Sequence, residues 1–403
     1  MHDTTRIQTA VVAVLCLGLL VGCGDANGDY DPAAQPQVSD SAGVVLVNLP
    51  HGFQGLGLSD ADLRRITRIG REGSAIELYR VASARFLPSG ELAIANSGTG
   101  EILVVTAEGD LISRFGGLGE GPGEFSVITS LHVREDGSLV AYDDRQGRLT
   151  AFSADGELLG TRKLTDPSPI ADLIPVLASM DGPVLAVYGD NRSFGNNEIR
   201  QDTTPLFRFT PESTIPDTVG MWAGKAWSFQ AVSAGMSRVQ LAFGPDLLHS
   251  GHGDWAALAE THAPLVRVYS PSGEATMQIV WHEVGRPVTD EDYEDWQDDR
   301  RADMGDYPEE IQEQFAAAPR FDTHPLIDGI LVGSDGSIWV APTALGGRQW
   351  VRFASNGDLL SSLQIPRNAE ALHYHAGRLA VLEKDRLDVE TVVIYEIQEP
   401  SGR

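Results

Sequence analysis

Apolar and polar positions alternate along most of the chain in short runs broken by glycine-centred turns, the period-two pattern of half-buried β-strands. Phe86-Leu87-Pro88-Ser89-Gly90 leads into Glu91 to Asn96, then Ile102 to Val105, then Ala107-Glu108-Gly109-Asp110-Leu111. Val133-Arg134-Glu135-Asp136-Gly137 opens the same succession, through Ser138 to Asp143, Arg148 to Phe152 and Ala154-Asp155-Gly156-Glu157-Leu158. Gly90 and Gly137 are 47 residues apart, as are Gly109 and Gly156, so two independent turns keep one period. Each unit reads strand, tight turn, strand, loop, strand, second turn, strand. The pattern returns at Asp181-Gly182, Pro245-Asp246, Asp335-Gly336 and Ala376-Gly377, which makes six units. A period in the forties with four short strands per unit describes a propeller blade, where radially packed sheets protect one another's edges. The expected fold is all-β, a six-bladed β-propeller over residues 43–400.

Two segments depart from the repeat. Residues 43–48 (GVVLVN) form a β-branched strand ahead of the first unit, expected to complete the last blade beside Val392 to Ile397. Between units four and five, residues 287–319 predict a short acidic helical insertion. Thr289 or Asp290 can cap a helix whose first turn is acidic, and Tyr293, Trp296 and Arg300 fall on one face. A second helix is expected from Pro308 to Ala317, with Pro308 as its first helical residue. From Asp290 to Glu313 there are twelve acidic and two basic residues, a net of −10.

Across all 403 residues, 30 basic side chains face 57 acidic ones, a net charge of −27. That charge repels phosphate backbones, so nucleic acid is a poor partner, and it disfavours anionic lipid surfaces. The two cysteines, Cys16 and Cys23, lie at the N-terminus. Ile7 to Gly22 is 16 uncharged residues, about 24 Å as a helix and short of a bilayer core. It reads as an export leader over residues 1–22, with Leu20-Val21-Gly22-Cys23 similar to a bacterial lipobox. That resemblance implies lipidation of Cys23, an exported lipoprotein, and a chain that meets the membrane only through its lipid. Gly24 rather than aspartate follows Cys23, which by similarity to enteric sorting implies the outer membrane, on its periplasmic or surface face. Residues 23–42 are polar and show no hydrophobic period, so a flexible tether is expected there. The mature chain has no thiol beyond Cys23, which excludes cysteine nucleophiles.

The paired unit pattern, Ile69-Gly70, and Phe115 to Phe125 (FGGLGEGPGEF) carry a resemblance to bacterial six-bladed β-propeller lipoproteins, an NHL-repeat-like or TolB-like group of unassigned function. The resemblance covers roughly residues 43–397 and implies fold more than activity. It allows two functions. One is a cell-envelope module that binds a protein, peptide or glycan and works as a monomer without a cofactor. The other is a metal-dependent hydrolase or lyase similar to gluconolactonase and NHL-type lyase propellers, with calcium or another divalent ion at the channel mouth. The residues favour the first, because no G-x-S-x-G, H-E-x-x-H or Walker pattern appears.

The glycines from Gly116 to Gly123 read as a tight crossover between blades, since Glu120 and Glu124 stand where a phosphate loop wants a lysine. Ser334 to Trp339 reads as an ordinary hairpin followed by a packing tryptophan. By their own spacing His249, His252 and His262, and His373 with His375 on one face of a strand, read as exposed loop histidines rather than a histidine metal cluster. Counting six positions from each first-turn glycine reaches Asn96, Asp143, Tyr188, roughly His252, Pro342 and Glu383. Asn96, Asp143, His252 and Glu383 are thus the candidate divalent-metal ligands. In the insertion, Tyr293, Trp296, Asp298, Asp299 and Tyr307 interleave aromatic groups with acids and are the candidate partner-binding residues.

Overall fold

A computed structural model describes residues 35–399 apart from 55, 57–59, 71–75, 165–170, 191–198, 214, 233–234, 306, 367–368 and 386. The leader, Cys23 and the tether up to residue 34 lie outside the described residues. Blade one is built from Val81–Phe86, Leu92–Asn96, Glu101–Val105 and Leu111–Gly116, an antiparallel meander from the axis outward. Blade two repeats it with Ile128–Val133, Leu139–Asp143, Arg148–Phe152 and Leu158–Lys163. The repeated turns are the ones the sequence shows. Gly90 (φ +101°) and Gly137 (φ +81°) adopt a backbone conformation that side-chain-bearing residues avoid, and their N–H groups donate to Leu87 O and Arg134 O at 2.9 Å.

The inner strands Ala171–Leu177, Leu247–His252, Ile327–Val332 and Ala369–His375 open blades three to six and complete the ring. Blade three carries a fifth strand, Gly235–Gln240, beyond its outer strand Asp217–Val232. In blade four the structure shifts the sequence reading. Leu247–His252 is the innermost strand and Trp255–Glu260 the second, so the first hairpin turn is Gly253-Asp254 rather than Pro245-Asp246. Apolar side chains fill the wedges between neighbouring blades. Leu87, Ala93, Ala95 and Ile102 of blade one, for example, pack on Ile128, Leu131 and Leu139 of blade two.

Ring closure differs from the expectation. The outer strand of blade six is Asp60–Ile69, antiparallel to the C-terminal strand Glu390–Gln398. Its first residues also pair in parallel with the outer strand of blade five, Ser362 with Asp60 and Leu363 with Ala61. The apolar segment Val44–Leu49 instead adds in parallel to the outer strand of blade four, Ala275–Trp281. Outer strands face water on one side, and the sequence of Asp60–Ile69 suits that place. Arg64 pairs with Glu396 at 2.5 Å and Arg68 with Glu383 at 2.6 Å. Val47 and Leu49 need deeper cover and find it in the wedge between blades four and five, with Phe53, Trp281 and Phe353. The end of the expected tether is also ordered: Gln37–Ser41 forms an exposed strand on Val44–Leu49, through a turn at Ala42-Gly43. All five of its residues are exposed, so no hydrophobic period announces it.

The insertion joins blades four and five. Helix α1 (Asp290–Asp303) starts at Thr289, whose Oγ1 accepts the Asp292 N–H while Asp292 accepts the Thr289 N–H, a reciprocal cap. Helix α2 (Glu309–Ala316) starts one residue later than expected, with Pro308 as its cap.

Candidate functional site

The two faces of the ring are distinct. One carries the hairpins that follow each inner strand; the other carries the crossovers between blades and the helical insertion. Asn96 and Asp143, 47 residues apart, occupy equivalent positions at the crossover face, each ending the second strand of its blade. Both are buried and both hold backbone. Asn96 Oδ1 accepts the Tyr79 N–H at 2.7 Å and its amide donates to Glu77 O at 3.0 Å. Asp143 accepts the Ser126 N–H at 2.6 Å and the Gln146 N–H at 3.0 Å. Glu260 is the equivalent residue of blade four, accepting the Ala223 N–H at 2.7 Å. Glu383 accepts from Arg68 and, at 2.7 Å, from the Tyr395 hydroxyl. His252 lies on the opposite face, at the end of an inner strand. The structure therefore does not bring Asn96, Asp143, His252 and Glu383 together. Among the described residues, no three His, Cys, Asp or Glu side chains group closely enough to share a metal.

The histidines are not exposed loop residues. His373 is fully buried, and its Nδ1 accepts the Phe86 N–H at 3.0 Å. Its Nε2 lies 3.0 Å from Nδ1 of His252. His249 and His132 face the channel from blades four and two. Burial holds His249 and His252 near a pKa of about 4 and His132 near about 3, while His373 falls well below the ordinary value for the same reason. All four are neutral at pH 7. His375 accepts or donates a 2.8 Å bond with the Ser334 hydroxyl, and His262 sits against Phe321 and the Thr323 carbonyl.

Arg85 is the central group that sequence reasoning missed. Its Nε donates to Leu131 O at 3.1 Å and its Nη1 to Leu372 O at 2.6 Å, so the guanidinium bridges the inner strands of blades two and six. Among the described residues no carboxylate pairs with it, and desolvation lowers its pKa to about 10. Arg85, His132 and His252 line a cleft of about 400 Å³ at the hairpin-face mouth, rimmed by Arg134, Glu135, Asp136 and Asp254. His132 stands 47 residues after Arg85, so the repeat itself places both at one blade position. Toward the crossover face the character reverses. Asp328 and Glu370, both raised by burial, share a hollow of about 310 Å³ with His249 and Trp350.

In the insertion, part of the expected recognition surface is spent internally. The Tyr293 hydroxyl donates to Ala318 O at 2.7 Å, and its ring stacks on Trp296 with a 9° interplanar angle. Asp298 pairs with Arg301 at 2.9 Å. Trp296 and Asp299 open onto a notch with Leu241 and Phe243, and Tyr307 is 62% exposed. The crossover Gly117 to Ser126 is closed on itself: Glu124 accepts the Gly121 N–H at 2.9 Å and Arg148 donates to Glu124 O at 2.7 Å. Trp339 is buried and donates to the Ser337 hydroxyl at 3.0 Å, as expected of a packing tryptophan.

Residues 77–199 match a family described as a 6-bladed beta-propeller. No curated protein sequence matches the chain. Among solved structures, a Bacteroides fragilis protein described as exported is 13% identical, with TM-score 0.46 over 88% of this chain and 100% of its own. Virginiamycin B lyase from Staphylococcus aureus is 11% identical, with TM-score 0.41 over 84% of this chain and 99% of its own. A gluconolactonase from Xanthomonas campestris is 12% identical, with TM-score 0.39 over 90% of this chain and 95% of its own. The blade-by-blade topology and the family match agree: the chain is a six-bladed β-propeller.

Proposed function

We propose that this propeller is a lipid-anchored binding module of the bacterial cell envelope, held at the outer membrane by Cys23, which takes a protein, peptide or glycan ligand. The observation that supports it best is the cleft at the hairpin-face mouth, where a rigid ring presents an unpaired arginine and neutral histidines to a volume of small-ligand size. His252 and His373 are hydrogen-bonded to each other, and among the described residues no serine or threonine hydroxyl bonds to either ring. The chemistry offered is donation to an electron-rich ligand. The notch beside Trp296 and the exposed Tyr307 supply a second surface, on the other face, suited to a basic partner.

Two measurements test this. Growth with an alkyne fatty acid should label the wild-type chain in the membrane fraction, and Cys23→Ala should abolish the label and release the protein. Peptide and glycan arrays probed with the mature chain should then show binding that is lost on blocking the cleft or on replacing residues 290–316 by a short linker. An unlabelled soluble chain, or arrays that stay blank, would refute the reading.

A further inference from the structure

We propose that the hairpin-face mouth of the channel is a carboxylate-binding site, in which Arg85 and the Nε2–H of His252 hold the carboxylate of a small ligand. This deepens the binding-module reading and rests on it.

A guanidinium has five N–H donors. Leu131 O and Leu372 O take one each, which leaves three, and the two carbonyl bonds fix the plane of the fork. A cation set this deep without a counter-charge is electrostatically incomplete, since carbonyl dipoles replace only part of its hydration. A planar carboxylate matches both the charge and the paired donors.

The role of His252 follows from proton counting. The Phe86 amide must donate, so His373 Nδ1 must be the bare nitrogen. A neutral imidazole with a bare Nδ1 carries its proton on Nε2, and that proton points at His252 Nδ1. His252 Nδ1 therefore accepts, and His252 Nε2 carries the remaining proton. The backbone of blade one thus dictates, through two rings, that the histidine at the cleft is a donor. Arg85 lines the same cleft as that donor.

The rim selects among anions. Glu135, Asp136 and Asp254 outnumber Arg134 on it, and the whole chain carries −27, so a polyanion is repelled where a single carboxylate can be held on local donors. A cleft of about 400 Å³ admits a few residues of peptide or one or two sugars.

The test is calorimetric titration of the full mature chain in detergent with trialanine, trialanine amide, glucuronate, glucose and inorganic phosphate. Trialanine or glucuronate should bind, and which of them does identifies a peptide or a sugar acid as the source. The uncharged analogue of whichever binds should be weaker by about tenfold or more. Arg85→Met should lose the acid probe while still unfolding cooperatively; it also gives up the bonds to Leu131 O and Leu372 O, so a thermal melt is run beside it to show that the binding loss is not unfolding. His252→Phe keeps a ring, removes the donor and should weaken the same probe about tenfold while Arg85 stays in place. Equal binding of acid and neutral analogues would overturn the proposal. So would preference for phosphate, undiminished binding by Arg85→Met, or silence of both acids at tens of millimolar. If the acids are silent while array ligands still bind and depend on residues 290–316, the carboxylate site falls and the binding module stands.

Discussion

At the residue scale, one position of the blade serves the same purpose in three blades of the ring. Asn96, Asp143 and Glu260 end equivalent strands, and each accepts a backbone N–H from outside its own blade's sheet: Tyr79 and Ser126 in the crossovers, and Ala223 in the outer strand of blade three. Asp143→Ala should cost about 2–4 kcal/mol in urea unfolding, because the Ser126 and Gln146 amides lose a charged acceptor in a buried site. An unchanged urea midpoint would show that water replaces it. The buried histidines make a second prediction. His132, His249, His252 and His373 have lowered native pKa values, whereas an unfolded histidine titrates near 6.5. Above pH 6.5 neither state is protonated and these groups are silent. Between about 6.5 and 4 the unfolded chain binds protons that the native chain refuses, so stability falls as pH falls, by up to about 1.4 kcal/mol per pH unit for each histidine. Urea midpoints measured from pH 7 to pH 4 should show that slope, and His249→Gln should flatten it.

At the scale of the element, the closing strand and the added strand have exchanged the roles that hydrophobicity alone suggests. Removing residues through 50 takes away Val47 and Leu49 but leaves Asp60–Ile69 on the C-terminal strand. That truncation should fold with a lower melting temperature and stay monomeric. Removing residues through 70 strips the outer strand of blade six and leaves the edge of Glu390–Gln398 open, which should cause aggregation or loss of cooperative unfolding. Light scattering and thermal melts on the two truncations separate these outcomes. If both behave alike, closure does not depend on Asp60–Ile69. The insertion was readable because helix signals are local: the Thr289 cap, the acidic first turn and Pro308 lie within a few residues of what they act on. Its outward surface was less readable. Tyr293 and Asp298 look available in sequence, yet Ala318 and Arg301 claim them.

At the scale of the whole molecule, the propeller is polarised along its axis. Arg85 and His252 sit toward the hairpin face, while Asp328, Glu370 and the acidic insertion sit toward the crossover face. The sequence by itself determined the blade, its repeat and the six-fold count, because tight turns and alternating strands depend on neighbours a few residues apart. It also determined that Asn96 and Asp143 are equivalent, since a 47-residue period carries that equivalence directly. The same period links Arg85 to His132 and could have pointed to the channel. What it could not supply was the direction each position faces, because blade four begins one strand later than its turns suggest. Only the tertiary structure decided which strand closes the ring, where His252 lies and that His373 reaches it from a residue 121 positions away. These are outcomes of packing between blades, and an inter-blade contact depends on the full geometry of the ring rather than on any local run of residues.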